Sequence, residues 1–280
     1  MNKLSLDRRV QIIKALCEGK SIRSTARITD SAVNTVVKLL KDVGIACIEY
    51  QDKHLKNIPS NRIQCDEIWS FCYAKQKNVP ADKKGQFGYG DVYTWVAIDA
   101  DTKLVIAWLV GLRDADYATE FMKYIQGRLA NKVQLTTDAH GAYLYAVDEV
   151  FGSEIDFAQL VKIYGQPELT KKDSRYSPAK CNGTKIQKIQ GKPDPKHIST
   201  SYVERQNLTM RMCMRRFTRL TNGFSKKIEN HTLAIALHFM YYNFARPHKT
   251  LTKPYETTPA MAAGISDHIW TMEEIIRLTI

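Results

Sequence analysis

Apolar residues recur at helical spacing from the start of the chain. Leu6, Val10, Ile13, Ala15 and Leu16 repeat in this way, and Glu18-Gly19-Lys20 ends the run with glycine where a helix stops. A short segment from Ser21 to Ile28 follows, and Thr29-Asp30-Ser31 is placed to cap a longer helix through Val33, Val36, Val37, Leu40 and Val43. Three short helices joined by tight turns over residues 1–45 predict a helix-turn-helix. In that geometry the start of the third helix faces base edges, which makes Ser31, Asn34, Thr35 and Lys38 candidates for base contact and Arg23, Arg27 and Lys41 candidates for phosphate. A small helical bundle used for dimerisation fits the same pattern. Residues 46–61, polar and carrying Lys53, Lys56 and Pro59, read as a linker.

From Arg62 the period changes to two. Ile63, Cys65, Glu67, Trp69, Phe71 and Tyr73 share one face of a strand, and Gln64, Asp66, Ile68 and Ser70 share the other. Val92 to Ile98 and Leu104 to Leu109 predict two more strands, joined by the turn Asp99-Ala100-Asp101-Thr102. A helix through Phe121, Ile125 and Leu129 follows, capped by Asp114 or Asp116. Then come a strand from Val133 to Thr137, a helix around Tyr143 to Phe151 and a strand near Phe157 to Ile163. A meander followed by alternating helices and strands predicts an α/β fold, a mixed sheet with helices on its faces. Residues 166–198 show no strong periodicity and predict a mobile basic insertion. Helices are expected over about 200–220 and 226–245, and Thr258-Pro259 opens a last short one.

Charge sharpens this picture. Residues 166–230 hold 15 Lys and Arg against 5 Asp and Glu, and residues 1–45 hold 9 against 4, an asymmetry that fits a polyanion-binding surface. The six cysteines form no C-x2-C pair, so buried free thiols are expected rather than a zinc site or disulfides. No apolar run reaches the ~18 residues a membrane span needs, and the first residues lack the apolar centre of a signal peptide. A cytoplasmic protein with no membrane partner is the expectation.

Three carboxylates stand out: Asp66 within the first strand, Asp138 just after the fourth, and Glu204 near the start of a basic helix. A carboxylate among apolar strand residues is costly unless something positive compensates, and oxygen donors without His or Cys suit Mg2+ or Mn2+. Each has a plain structural rival. Ser201-x-x-Glu204 is a capping-box pattern, Asp138 fits a helix cap, and Glu67 replaces Asp66 if the strand phase slips by one.

Taken together, Cys65-Asp66-Glu67-Ile68-Trp69, Thr137-Asp138-Ala139-His140-Gly141 and Tyr202-Val203-Glu204-Arg205-Gln206-Asn207, in that order, resemble the DDE transposases. The nearest likeness is to the IS-one-like group of bacterial insertion sequences, and it covers nearly the whole chain. The resemblance implies an RNase H-like catalytic domain over 62–250 with a helical tail over 251–280. It also implies two Mg2+ ions, with Mn2+ able to substitute, held by Asp66, Asp138 and Glu204. Activity would be cleavage of the element's terminal inverted repeats and transfer to target DNA, in a homodimer or larger assembly on the prokaryotic nucleoid, with no small-molecule substrate. Arg211, seven residues after Glu204, resembles the basic residue these enzymes aim at terminal DNA, and Arg215 would extend the same stripe. Arg216 and Arg219 would join them on the backbone. Tyr242-Asn243, Arg246-Pro247-His248 and Leu251 resemble a motif recurrent in transposases and integrases, in which Arg246 would touch DNA. Two other readings stay open: a structure-directed RNase H-like nuclease or resolvase, and a non-catalytic helix-turn-helix regulator.

Overall fold

The computed structural model describes residues 4–165, 181–218 and 222–280. Three helices open it: α1 (Leu6–Cys17), α2 (Ile22–Ile28) and α3 (Val33–His54). Ser5 and Ser21 cap the first two by accepting the N–H groups of Arg8 and Ser24. Gly19 ends the first turn region at φ +74°, and a Cβ there would lie 2.9 Å from the carbonyl oxygen of Cys213, so both backbone sign and close approach require glycine.

Two expectations about α3 are corrected. Its N-cap is Ala32, with no side-chain cap, while the Ser31 hydroxyl donates to the Thr29 carbonyl and the Thr29 hydroxyl to that of Thr25. The helix also runs on to His54, through most of the segment expected to be a linker. Cys47, Gln51 and Leu55 continue the buried stripe of Val36, Leu40 and Val43, and the Gln51 side chain donates to the carbonyls of Cys47 and Ala236. Buried spacing, not polarity, decides where this helix stops.

The sheet comprises β1 (Arg62–Cys72), β2 (Gly90–Asp99), β3 (Val105–Gly111), β4 (Gln134–Thr137), β5 (Asp156–Tyr164) and β6 (Cys181–Gln190). Its order is β3-β2-β1-β4-β5-β6: the first three strands are antiparallel, β4 and β5 run parallel to β1, and β6 returns antiparallel at the edge. This is a mixed sheet with flanking helices, as the α/β expectation has it. β6 corrects the expectation of an irregular stretch over all of 166–198. Lys171, Lys172, Arg175 and Lys180 of that stretch lie outside the described residues, as does Arg219.

Helices α4 (Ala115–Gln126) and α5 (Ala142–Phe151) cover one face, and Asp114 caps α4 through the N–H of Tyr117. Trp95, Phe121 and Tyr143 fill the layer between. Helices α6 (Ser201–Cys213) and α7 (Ile228–Met240) cover the other, where Ile68, Val96 and Val105 meet Val203, Met210 and Phe239. α6 ends at Cys213, seven residues earlier than its apolar spacing suggests. Two short helices, α8 (Pro259–Ala262) and α9 (Met272–Arg277), complete the order, and Ile275 and Ile276 of α9 join α1 in the main core. Among the described residues no helix is long and apolar enough to cross a membrane, and Cys17, Cys47, Cys65 and Cys72 are buried free thiols.

Within α7, His231 lies between the hydroxyls of Ser225 (2.9 Å) and Ser70 (3.2 Å). Burial holds it and His238 neutral, both lowered from 6.5 to about 3. The folded chain then binds fewer protons than the unfolded one between these values. Stability is therefore expected to fall as pH drops below 6.5, by about 1.4 kcal/mol per pH unit for each histidine until the folded value is reached. Urea unfolding across that range checks it, and His231→Asn should remove about half of the histidine slope.

Candidate active site

Parallel pairing fixes the first part of the site. Cys65 of β1 sits opposite Thr137 of β4, so the next residues, Asp66 and Asp138, emerge side by side. Strand alternation then sends neighbours apart. Asp66 turns to α6, where Oδ2 accepts from the Asn207 amide at 2.9 Å, and Glu67 turns to the opposite side, where Arg113 Nε donates to it at 2.9 Å. Arg113 also reaches Asp138 at 3.4 Å. One oxygen from each of Asp66, Glu67 and Asp138 falls within a mutual 4.8 Å.

The electrostatics follow from burial and crowding. Burial first, then the charge of Asp138, pushes Asp66 from 3.8 up to about 6 against the opposing N–H of Glu67. Burial, partly offset by Tyr143, lifts Glu67 to about 7. A bound cation would offset the burial and crowding that raise these carboxylates, beyond what Arg113 supplies.

Glu204 reaches the same pocket from α6. The cavity, about 490 Å3, is lined by Asp66, Arg113, Asp138, His140, Lys162 and Glu204 among others. Glu204 stands outside the tight oxygen group, ion-paired to Lys162 at 2.5 Å and accepting the Thr200 hydroxyl. The rival capping box at Ser201 is not formed: Thr200 is the N-cap, the Ser201 N–H donates to Ser199 Oγ, and the next two N–H groups of α6, on Tyr202 and Val203, donate to Gln64 Oε1 at 2.8 and 3.2 Å. Gln64, two residues before Asp66 on the same strand face, thus anchors the turn that carries Glu204. Gln64→Ala is expected to cost about 1–2 kcal/mol, because both donors lose their acceptor in a buried place, and denaturant unfolding measures it.

The remaining candidates are scattered. Arg23, Arg27 and Ser31 line a shallow hollow at the start of α3, beside Asp30. Asn34 and Lys38 are exposed and Thr35 is half-buried, with Lys38 paired to Asp42. Lys41 is tied to Glu229 of α7 at 2.6 Å. Arg211 lies two turns after Glu204 on α6, but Arg215 follows the end of that helix, so the two do not form one continuous stripe. Arg216 is half-buried and donates to the Ser225 hydroxyl at 2.7 Å, with burial lowering its guanidinium to about 10. Arg246 is exposed, 3.1 Å from the Cys213 sulfur. Next to it, Asn243 exchanges two hydrogen bonds with the backbone of Val105, and the Tyr242 hydroxyl donates to the Lys103 carbonyl. That part of the motif holds α7 to the sheet.

Gln64, Arg113, Lys162 and Asn207 were not singled out from sequence. Asn207 had a signal, since it follows Glu204 by three residues on one helix face. The others come from strands and loops far apart in the chain.

No family model and no curated protein matches this chain. Among solved structures, a piggyBac transposase synaptic complex with hairpin DNA aligns over 98% of this chain and 69% of that one, with TM-score 0.42 and 10% identity. The Mos1 strand transfer complex aligns over 85% and 78%, with TM-score 0.25 and 11% identity. A Mos1 paired-end complex with the left transposon end aligns over 56% and 60%, with TM-score 0.22 and 11% identity. Likenesses this slight do not say what the chain does.

Proposed function

We propose that this chain is a DNA transposase of the DDE type, related to the IS-one-like insertion sequences. In this reading residues 1–45 recognise the ends of the element, 62–250 cut and join DNA, and 251–280 brace the N-terminal helices. The observation that carries the proposal is the convergence of Asp66 and Asp138, set together by β1 and β4, with Glu204 from α6 on one pocket.

The donor set fits a hard divalent ion such as Mg2+. Every candidate donor is an oxygen, and the buried Asn207 Oδ1 beside Asp66 has no hydrogen-bond partner among the described residues. Asp66 and Asp138 would hold the metal, with Glu204 or Glu67 completing the set. Bound there, a pair of Mg2+ ions supplies Lewis-acid stabilisation of the scissile phosphate and activation of the attacking hydroxyl. The chain's part is positional. Asn207 orients Asp66, Gln64 fixes the first turn of α6, and Arg113 balances the buried charge of Glu67. Arg23, Arg27, Arg211, Arg215 and Arg246 would neutralise backbone phosphates, with Ser31, Asn34, Thr35 and Lys38 at base edges, so binding should weaken steeply with salt.

The test is cleavage of DNA carrying the sequences that flank this gene, with Mg2+ or with EDTA. New 3′-hydroxyl ends at the element termini, absent in EDTA, are the expected result. Binding without cleavage under any metal would instead indicate a regulator. Preference for four-way junctions over any end sequence would indicate a resolvase.

A further inference from the structure

The pocket contains two cations held differently. Arg113 is fixed by two acids, one of them Glu67, whose side chain is only 1% exposed. Among the described residues Lys162, on β5, is ion-paired to Glu204 only, and both partners reach water, at 29% and 38% exposure. An ammonium on a flexible four-carbon stem exchanges anionic partners readily, and an ion pair that reaches water is held weakly. A DNA phosphate entering the pocket meets several carboxylates, with Lys162 among the residues that line it.

We propose that Lys162 is a phosphate-binding residue of this pocket and that its pair with Glu204 is a resting state. Phosphate draws the ammonium away, and Glu204 is released to join Asp66 and Asp138. DNA and divalent metal then strengthen each other's binding, because each favours the arrangement in which Lys162 and Glu204 are apart. The inference rests on the transposase reading for its ligand. Its test does not require cleavage.

The experiment is a Mn2+ titration of the full chain, followed by electron paramagnetic resonance, with and without a short duplex carrying the flanking DNA. Wild type, Lys162→Gln, Lys162→Arg and, as a lysine on the neighbouring strand, Lys185→Gln are compared, with melting temperature as the check on folding. In wild type the duplex should tighten Mn2+ binding about fivefold or more. Lys162→Gln should bind Mn2+ about fivefold tighter without DNA and lose most of the duplex effect, while Lys162→Arg and Lys185→Gln retain it. Equal Mn2+ affinity and equal duplex effect in Lys162→Gln and wild type would overturn the proposal. Coupling that depends on Lys162 in a protein that cuts no DNA would sustain this inference and reject the transposase reading. A wild-type chain that binds no Mn2+ would reject both.

Discussion

Asp138→Asn is expected to reduce metal-dependent DNA cleavage by about a thousandfold or more while leaving the fold intact, since a bound metal contributes several kcal/mol to such a reaction. Asparagine keeps the size of the side chain and an Oδ1 able to accept the His140 N–H, now at 3.0 Å. What disappears is one negative charge beside Asp66. That change has a second readout: Asp66, pushed up in part by Asp138, should titrate lower in the variant. The measurement is a cleavage time course beside a melting curve. A variant that cuts as fast as wild type would show that chemistry takes place elsewhere. The same assay separates the two candidates for the third acid. Glu204→Gln should match Asp138→Asn if Glu204 completes the metal set, whereas an equal loss in Glu67→Gln would assign that place to Glu67, within the tight oxygen group.

Gly44→Val is expected to destabilise the folded chain by about 3 kcal/mol. Helix propensity alone predicts the opposite sign, because valine is a better helix former than glycine by a few tenths of a kcal/mol. The contact with α7 decides. A Cβ on Gly44 would lie 2.7 Å from the Cβ of Leu233 and 2.8 Å from its carbonyl oxygen, and backbone cannot move aside as a side-chain tip can. α3 must then separate from α7, breaking the seam that joins the first three helices to the layer over the sheet. Guanidinium unfolding gives the magnitude. Unchanged or raised stability would mean that α3 and α7 are not packed as described.

Much of the fold was legible in the chain. The period of two from Ile63 to Ser70 assigned both faces of β1 correctly, and the structure shows Gln64 and Asp66 facing α6 with Glu67 opposite. The caps at Asp114, one of the two candidates for α4, and at Thr258 lie where the sequence predicts them. Errors arose where burial overrides composition. The polarity of residues 46–54 suggests a linker, yet α3 continues there because its inner stripe runs on through Cys47 and Gln51. A stretch rich in lysine and short of apolar residues contained the edge strand β6, whose side chains are mostly exposed. Edge strands need little burial, so their sequence carries little hydrophobic signal.

From the sequence alone came the place of Asp66 within an apolar strand and the order Asp66, Asp138, Glu204, because local periodicity records which face of a strand a side chain takes. It could not show their spacing. Register between β1 and β4 sets Asp66 beside Asp138, the Gln64 amide fixes the turn that brings Glu204 to the pocket, and Lys162 of β5 meets Glu204 of α6, two elements far apart in the chain. These are contacts between distant segments, and only the packed sheet and its helices bring them within ångströms of one another.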